Sequence, residues 1–282
     1  MEWEVYMENV TVGFIGCGCM GGALATAMAK KINSKNIYLL ANHFDHAKTL
    51  ADKINAVPCE TYDDLIKNSK YIFLGVKPKD IPTAIKQLNN ASRNTGVAIN
   101  SQKIIISMAA GVSISSINSH LLASDTDVFR IMPNLPATCG QAMTAMCEDE
   151  GNLPENTETV KTLLESAGVV EIVPEKLMDA VTAISGSGPA YGFMFIEALA
   201  DAAVRFGMPR KQAYVYAAQT LKGAATMAME DGRSISQLKD AVCSPAGTTI
   251  EGVAALEKYG FRNAVIQGAS AAYGKSVELA KK

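Results

Sequence analysis

Neither sign of charge dominates this 282-residue chain: 26 Lys and Arg stand against 28 Asp and Glu, a formal net charge of -2. That balance excludes an electrostatic grip on nucleic acid. Charged residues make up only 19% against 48% hydrophobic, which excludes disorder as well. Histidine is scarce, with only His43, His46 and His120. The last two fall in polar, helix-like stretches, and no metal site is expected. The six cysteines (Cys17, Cys19, Cys59, Cys139, Cys147 and Cys243) lack both paired zinc spacing and the density of a disulfide-stapled secreted scaffold. They read as free thiols of a reducing cytoplasm. Internal repeats, low-complexity tracts and long linkers are missing too. One uncharged run, Asn9 to Ala29, imitates a signal peptide or a membrane span. It is preceded by Glu2, Glu4 and Glu8 without Lys or Arg and is interrupted by five glycines, so neither reading fits.

What is present is alternation. Short β-branched runs at Thr11–Ile15, Ile37–Ala41, Tyr71–Val76, Ile104–Ser107, Val128–Ile131, Ala142–Met146 and Val169–Val173 are separated by stretches of helical length such as Gly22–Lys31 and Asp45–Ile54. That pattern predicts an α/β fold, a Rossmann-type, doubly wound and mainly parallel sheet with right-handed crossovers. After about Pro174 the strand signal fades into Ala-rich sequence with apolar positions at helical spacing. Two domains are therefore expected, a dinucleotide-binding domain over 9–173 and an all-helical domain over 174–282. Ser187-Gly188-Pro189 reads as a helix start that places Tyr191, Phe195, Leu199, Ala202 and Phe206 on one face. A second helix, Lys211 to Met229, presents Tyr214, Ala217, Ala218, Leu221, Ala225 and Ala228. One small helical domain has too many apolar faces to cover alone, which predicts a homo-oligomer.

The first strand runs into Gly16-Cys17-Gly18-Cys19-Met20-Gly21, a G-x-G-x-x-G ahead of a helix and so a dinucleotide fingerprint in the right context. Gly16 permits the tight turn, Gly18 lets backbone approach a pyrophosphate, and Gly21 lets helix pack on strand, with the helix N-terminal amides facing the anion. The second strand ends at Ala41-Asn42-His43, without the carboxylate that NAD-specific enzymes present to the adenosine ribose. Asn42 and His43, with Lys48 and Lys53, suit a 2′-phosphate and favour NADPH; a merely exposed His43 is the competing reading, and Asp45 keeps NADH open. Val76-Lys77-Pro78, Ala109-Ala110-Gly111 and Met132-Pro133-Asn134 follow later strands at the ends where open sheets bind ligands and suit the wall of a nicotinamide site. Lys77 reads equally well as a solvated loop cation. Late in the chain, Ser244-Pro245-Ala246-Gly247-Thr248-Thr249 opens another helix, clustering hydroxyls and amides that fit a small carboxylate or an ordinary helix cap.

From Val12 to about Leu279 the chain resembles pyrroline-5-carboxylate reductase. The blocks that carry the resemblance are Gly-Phe-Ile-Gly-x-Gly-x-Met-Gly, Val76-Lys77-Pro78, Ser107 to Val112, Arg130 to Asn134, Ser185-Gly186-Ser187-Gly188-Pro189-Ala190-Tyr191, and Ser244-Pro245-x-Gly247-x-Thr249. The resemblance implies NAD(P)H-dependent reduction of 1-pyrroline-5-carboxylate to L-proline, and a helical dimerisation domain whose helices interleave between subunits. Larger rings of dimers occur in the family. It further implies that amides near Gly247, Thr248 and Thr249 bind the substrate carboxylate together with Ser244, and that Thr249 hydrogen-bonds the ring nitrogen. Family members often carry Asn-Arg or a serine pair where this chain has Asn42-His43, and some have Asn in place of Ala241. Two rivals share the cofactor loop. A β-hydroxyacid dehydrogenase needs a base, typically a lysine on the interdomain helix, yet Pro189 to Arg205 contains no lysine. A cofactor-binding regulator without catalysis leaves the intact Ser244–Thr249 turn unexplained.

Overall fold

A computed structural model describes residues 6–100 and 102–280. The sheet unit holds β1 (Val12–Ile15), α1 (Cys19–Met28), β2 (Ile37–Leu40), α2 (Phe44–Ile54), β3 (Val57–Pro58), α3 (Tyr62–Asn68), β4 (Tyr71–Leu74), α4 (Ile81–Thr95), β5 (Ile104–Ser107), α5 (Ile114–Asn118), β6 (Val128–Met132), β7 (Ala142–Glu148), α6 (Pro154–Glu165) and β8 (Gly168–Ile172). Strand order is β3-β2-β1-β4-β5-β6-β7-β8, parallel throughout except for the β6–β7 pair. This is the expected doubly wound sheet. β3 was not anticipated, because a two-residue ladder containing Pro58 has no periodicity to read. α1 starts at Cys19 rather than Gly22, inside the glycine hexad itself.

The central strands are buried on both faces, which is why they read as unbroken apolar runs. Successive side chains serve opposite layers. Tyr71, Phe73, Ile104 and Ile106 join Leu24 and Met28 of α1 and Val160, Leu163 and Leu164 of α6. Ile72, Leu74 and Ile105 join Leu65 and Ile66 of α3 and Ile85 and Leu88 of α4. Phe14 stacks on Phe73 with centroids 4.8 Å apart. Within this core Thr144 of β7 is an exception, fully buried with a hydroxyl that has no hydrogen-bond partner among the described residues. Thr144→Val keeps the shape and removes the orphaned group, so it raises stability by ~1 kcal/mol. Urea unfolding checks this, as a higher midpoint at unchanged slope.

By compactness the chain divides into 1–186 with 272–282, and 187–271. In the sheet unit, β8 leads into the short α7 (Met178–Val181) and a π-turn at Thr182–Gly186. Arg130 Nη1 pairs with Glu175 Oε1 at 3.0 Å, and that oxygen also accepts from the Ile114 N–H at 2.9 Å, tying β6 to the segment after β8. Ser276 Oγ donates to Asp179 at 2.6 Å.

The helical unit contains α8 (Gly188–Arg205), α9 (Arg210–Glu230), α10 (Ile235–Val242), α11 (Thr248–Lys258) and the start of α12 (Phe261–Ala280). Pro189 sits in the first turn of α8 as expected. Ser187 does not open the helix from an extended chain; its backbone (φ -89°, ψ -24°) is already helical because the π-turn precedes it. The described core of this unit is small, with Ala200 of α8 against Ala213 and Ala217 of α9. Phe193, Met194, Val215, Tyr216 and Met229 are left exposed, and Phe206 is 82% exposed. Of the face expected on α9, Ala217 is buried within the unit while Tyr214, Ala218, Ala225 and Ala228 are open, an apolar surface suited to another chain. Among the described residues no helix is long and apolar enough to cross a membrane.

Candidate active site

The carboxyl ends of β1, β2, β4, β5 and β6 lie along one edge of the sheet, and the order reverses between β1 and β4. A crevice opens at such a switch point. At its centre three glycine backbones meet. Gly16 has φ +100°, a conformation that L side chains rarely adopt, and its N–H donates to the Leu40 carbonyl at 2.8 Å. A Cβ on Gly16 would lie 2.6 Å from the Gly75 carbonyl oxygen, one on Gly75 would lie 2.5 Å from that of Gly16, and one on Gly21 would overlap the Gly16 oxygen. Packing therefore explains these three.

Gly18 is different. A Cβ there would meet nothing within 4 Å, and its φ of -70° suits any residue, so the chain itself gives no reason for glycine. The space a side chain would fill lies at the N-cap of α1, whose first turn has no acidic residue and whose cap makes no side-chain hydrogen bond. A helix end left open in this way fits a pyrophosphate held by backbone amides.

Beside it lies a hollow of about 210 Å³ lined by Ile15, Gly16, Leu40, Ala41, Asn42, Glu60 and Tyr62. Asn42 is part of this lining; His43 is not, being an exposed residue at the start of α2 with its ring 5.6 Å from that of His46. Lys48 and Lys53 are exposed on α2 and are likewise absent from the lining. Under the loop, the Cys17 thiol donates to the Leu40 carbonyl at 3.5 Å. Burial, reinforced by the neighbouring Cys59 thiol, pushes Cys17 up to about 12. Burial, reinforced by Asp64, pushes Cys59 up to about 11. Both stay protonated thiols, so Cys17 serves the loop as packing. Cys19 and Met20 belong to the first turn of α1, Cys19 exposed and Met20 half-buried.

Across the switch point, Val76 is half-buried while Lys77 and Pro78 are exposed at the end of β4. Ala109 is buried, its N–H donating to Ser107 Oγ at 3.3 Å, and Ala110 is exposed. Asn134, 7% exposed, does more than line a wall. Its Nδ2 donates to the Ser185 carbonyl at 2.9 Å and its Oδ1 accepts from the Met143 N–H at 3.0 Å, so it pins the π-turn at Thr182–Gly186. Such turns recur at functional sites because they break the helical register. Sequence reasoning missed Gly75, Glu60, Tyr62 and this role of Asn134. A lone glycine ending an apolar strand was the available signal for Gly75.

The second cluster belongs to the helical unit. α10 opens with a capping box, Ser234 with Gln237, and ends before the bend at Ser244. The Gly247 N–H donates to the Ser244 carbonyl at 3.0 Å, and a Cβ on Gly247 would overlap Ser244 Oγ. Ala246 takes φ +53°, a strained choice for a residue with a Cβ. Gly247 is the N-cap of α11 and makes no side-chain cap, so the first amides, at Thr248 and Thr249, open this helix. The hydroxyls of Ser244, Thr248 and Thr249 have no hydrogen-bond partner among the described residues; Ser244 and Thr248 are exposed and Thr249 is half-buried. An ordinary cap would engage one of these hydroxyls. The bend is therefore a cluster of donors without an acceptor among the described residues.

Comparison with known proteins decides the family. A pyrroline-5-carboxylate reductase of Methanosarcina acetivorans is 40% identical over 278 residues, 98% of this chain and 100% of its own length. The chain belongs to the pyrroline-5-carboxylate reductase family. The Escherichia coli K12 member is 37% identical over 272 residues, 96% of this chain and 98% of its own. The family description "Pyrroline-5-carboxylate reductase dimerisation" matches residues 175–279, and "NADP oxidoreductase coenzyme F420-dependent" matches 11–111, from β1 through the Ala109-Ala110-Gly111 loop. Among solved structures, the Plasmodium falciparum pyrroline carboxylate reductase with NADP bound superposes with a TM-score of 0.82 at 29% identity, covering 97% of this chain and 99% of that one. The dimerisation match spans the helices that leave Phe193, Met194, Val215 and Tyr216 exposed, which accounts for them in a reductase of this family.

Proposed function

We propose that this chain reduces 1-pyrroline-5-carboxylate to L-proline, the last step of proline synthesis, with NADPH as donor and NADH as an alternative. The observation that carries this reading is the donor cluster from Ser244 to Thr249, three unpartnered hydroxyls and the open amides of α11 in a chain of this family. When bound, the dinucleotide supplies the hydride that adds to the C=N carbon of the ring. The hexad Gly16 to Gly21 holds its pyrophosphate; Asn42 and His43 serve its adenosine side; Val76, Lys77, Pro78, Ala109 and Ala110 flank the nicotinamide. Ser244 and the amides of Gly247, Thr248 and Thr249 hold the substrate carboxylate, and the Thr249 hydroxyl fixes the ring nitrogen. A cyclic imine is readily protonated near neutrality, so the nitrogen arrives with its proton and no strong enzymic acid is required. Positioning then supplies the rate.

In this reading 9–173 forms the cofactor domain and 174–282 the dimerisation and substrate domain of a cytoplasmic homodimer, with rings of dimers as the larger assembly. Purified protein given NADPH and the cyclic imine consumes the reduced cofactor and releases proline in equal amounts. Consumption without proline, or neither, overturns the proposal. Light scattering after size exclusion tests the dimer.

A further inference from the structure

The hollow beside the glycine loop contains a carboxylate that the cofactor assignment above does not use. Where an acid is usual at the end of β2 this chain has Asn42. Glu60 reaches the same hollow from the next strand out, and it is the only charged residue in the lining. Its placement is fixed by backbone. Cys59, just after β3, donates its N–H to the Leu39 carbonyl of β2 at 2.8 Å, which holds Glu60 level with the Ala41–Asn42 end of that strand. The neighbouring acid on this side is already occupied. Asp64 Oδ2 accepts from the Thr61 hydroxyl at 2.6 Å and from the Thr61 N–H at 3.1 Å, a capping box that starts α3. Glu60 has no hydrogen bond or ion pair among the described residues. Ile15, Leu40, Ala41 and Tyr62 complete the hollow with apolar and aromatic surface.

We infer that Glu60 is a specificity-determining residue on the adenosine side: its carboxylate accepts from a ribose hydroxyl and opposes a 2′-phosphate, holding down the preference for NADPH over NADH. The inference rests on the cofactor reading above. A phosphate brought into a hollow whose one charge is negative is repelled, whereas a hydroxyl there finds an acceptor. Asn42 offers an amide to either cofactor. The sheet thus replaces the missing acid of β2 with one borrowed from β3.

The test is direct binding, not turnover. Dissociation constants for NADPH and NADH are measured by quenching of protein fluorescence for the wild type, Glu60→Gln and Glu60→Ala, with thermal unfolding to confirm that each variant is folded. Both substitutions raise the ratio of NADPH to NADH affinity, on the order of tenfold. A ratio that stays at the wild-type value in both variants overturns the role of Glu60 while leaving the reductase reading intact. A wild type that binds neither dinucleotide overturns both.

Discussion

Thr249→Val lowers kcat for imine reduction roughly a hundredfold, the loss of one oriented hydrogen bond at the reacting group. NADPH affinity and the unfolding midpoint stay at wild-type values, because valine keeps the shape of threonine and the hydroxyl bonds nothing else among the described residues. The split between the two measurements is informative. A hydroxyl that merely solvated the start of α11 would leave kcat unchanged, and one that held the fold would move the midpoint. Thr249→Ser restores most of the rate, since it returns the hydroxyl oxygen that accepts from the protonated ring nitrogen. Steady-state kinetics with the cyclic imine, beside cofactor titration, decides among these outcomes, and an unaltered kcat removes Thr249 from the mechanism.

Gly21→Ala is the more severe change to the cofactor domain. The new methyl falls on the carbonyl oxygen of Gly16, which is itself wedged against the Gly75 backbone, so neither side of the contact has a flexible side chain to yield. Overpacking against backbone costs about 3 kcal/mol. Relief comes only by moving α1 off β1, which takes the helix amides away from the pyrophosphate. The urea midpoint falls and NADPH binding is lost together. Gly18→Ala is the contrast within the same loop: its methyl meets no protein atom, so the midpoint holds while cofactor affinity drops. Equal effects of the two substitutions on stability would contradict the separate reasons assigned to these glycines.

What could be read from sequence follows physical range. The strands at Tyr71–Leu74 and Ile104–Ser107 announce themselves because both faces are buried and every position is apolar or small. The hexad was legible because strand, glycines and helix are contiguous. β7 was legible as a strand but not in its direction, since antiparallel pairing with β6 is a property of the partner and not of Ala142–Glu148 itself. Glu60 was hidden because its place depends on β3, a two-residue ladder set by one long-range bond to Leu39. Asn134 was seen as part of a wall, but its two hydrogen bonds reach Met143 and Ser185, the latter across 51 positions that no local pattern links. The helix start at Ser187-Gly188-Pro189 was legible, but the π-turn before it was not, because a proline in a first turn looks the same whatever backbone precedes it. At the Ser244 bend the chemistry was legible and the strain was not: Ala246 gives no hint of its left-handed backbone.

The thiols of the glycine loop divide it for chemical labelling. Thiolates are what attack alkylating reagents, and Cys17 on the floor of the loop, with Cys59 behind it, is held protonated far above neutral pH. Cys19, two residues on, lies exposed at the lip, where α1 begins. Within this loop a maleimide dye applied to the native protein therefore marks the rim and spares the base, and with the exposed Cys139 replaced by serine the loop carries a reporter position without any cysteine being engineered into it.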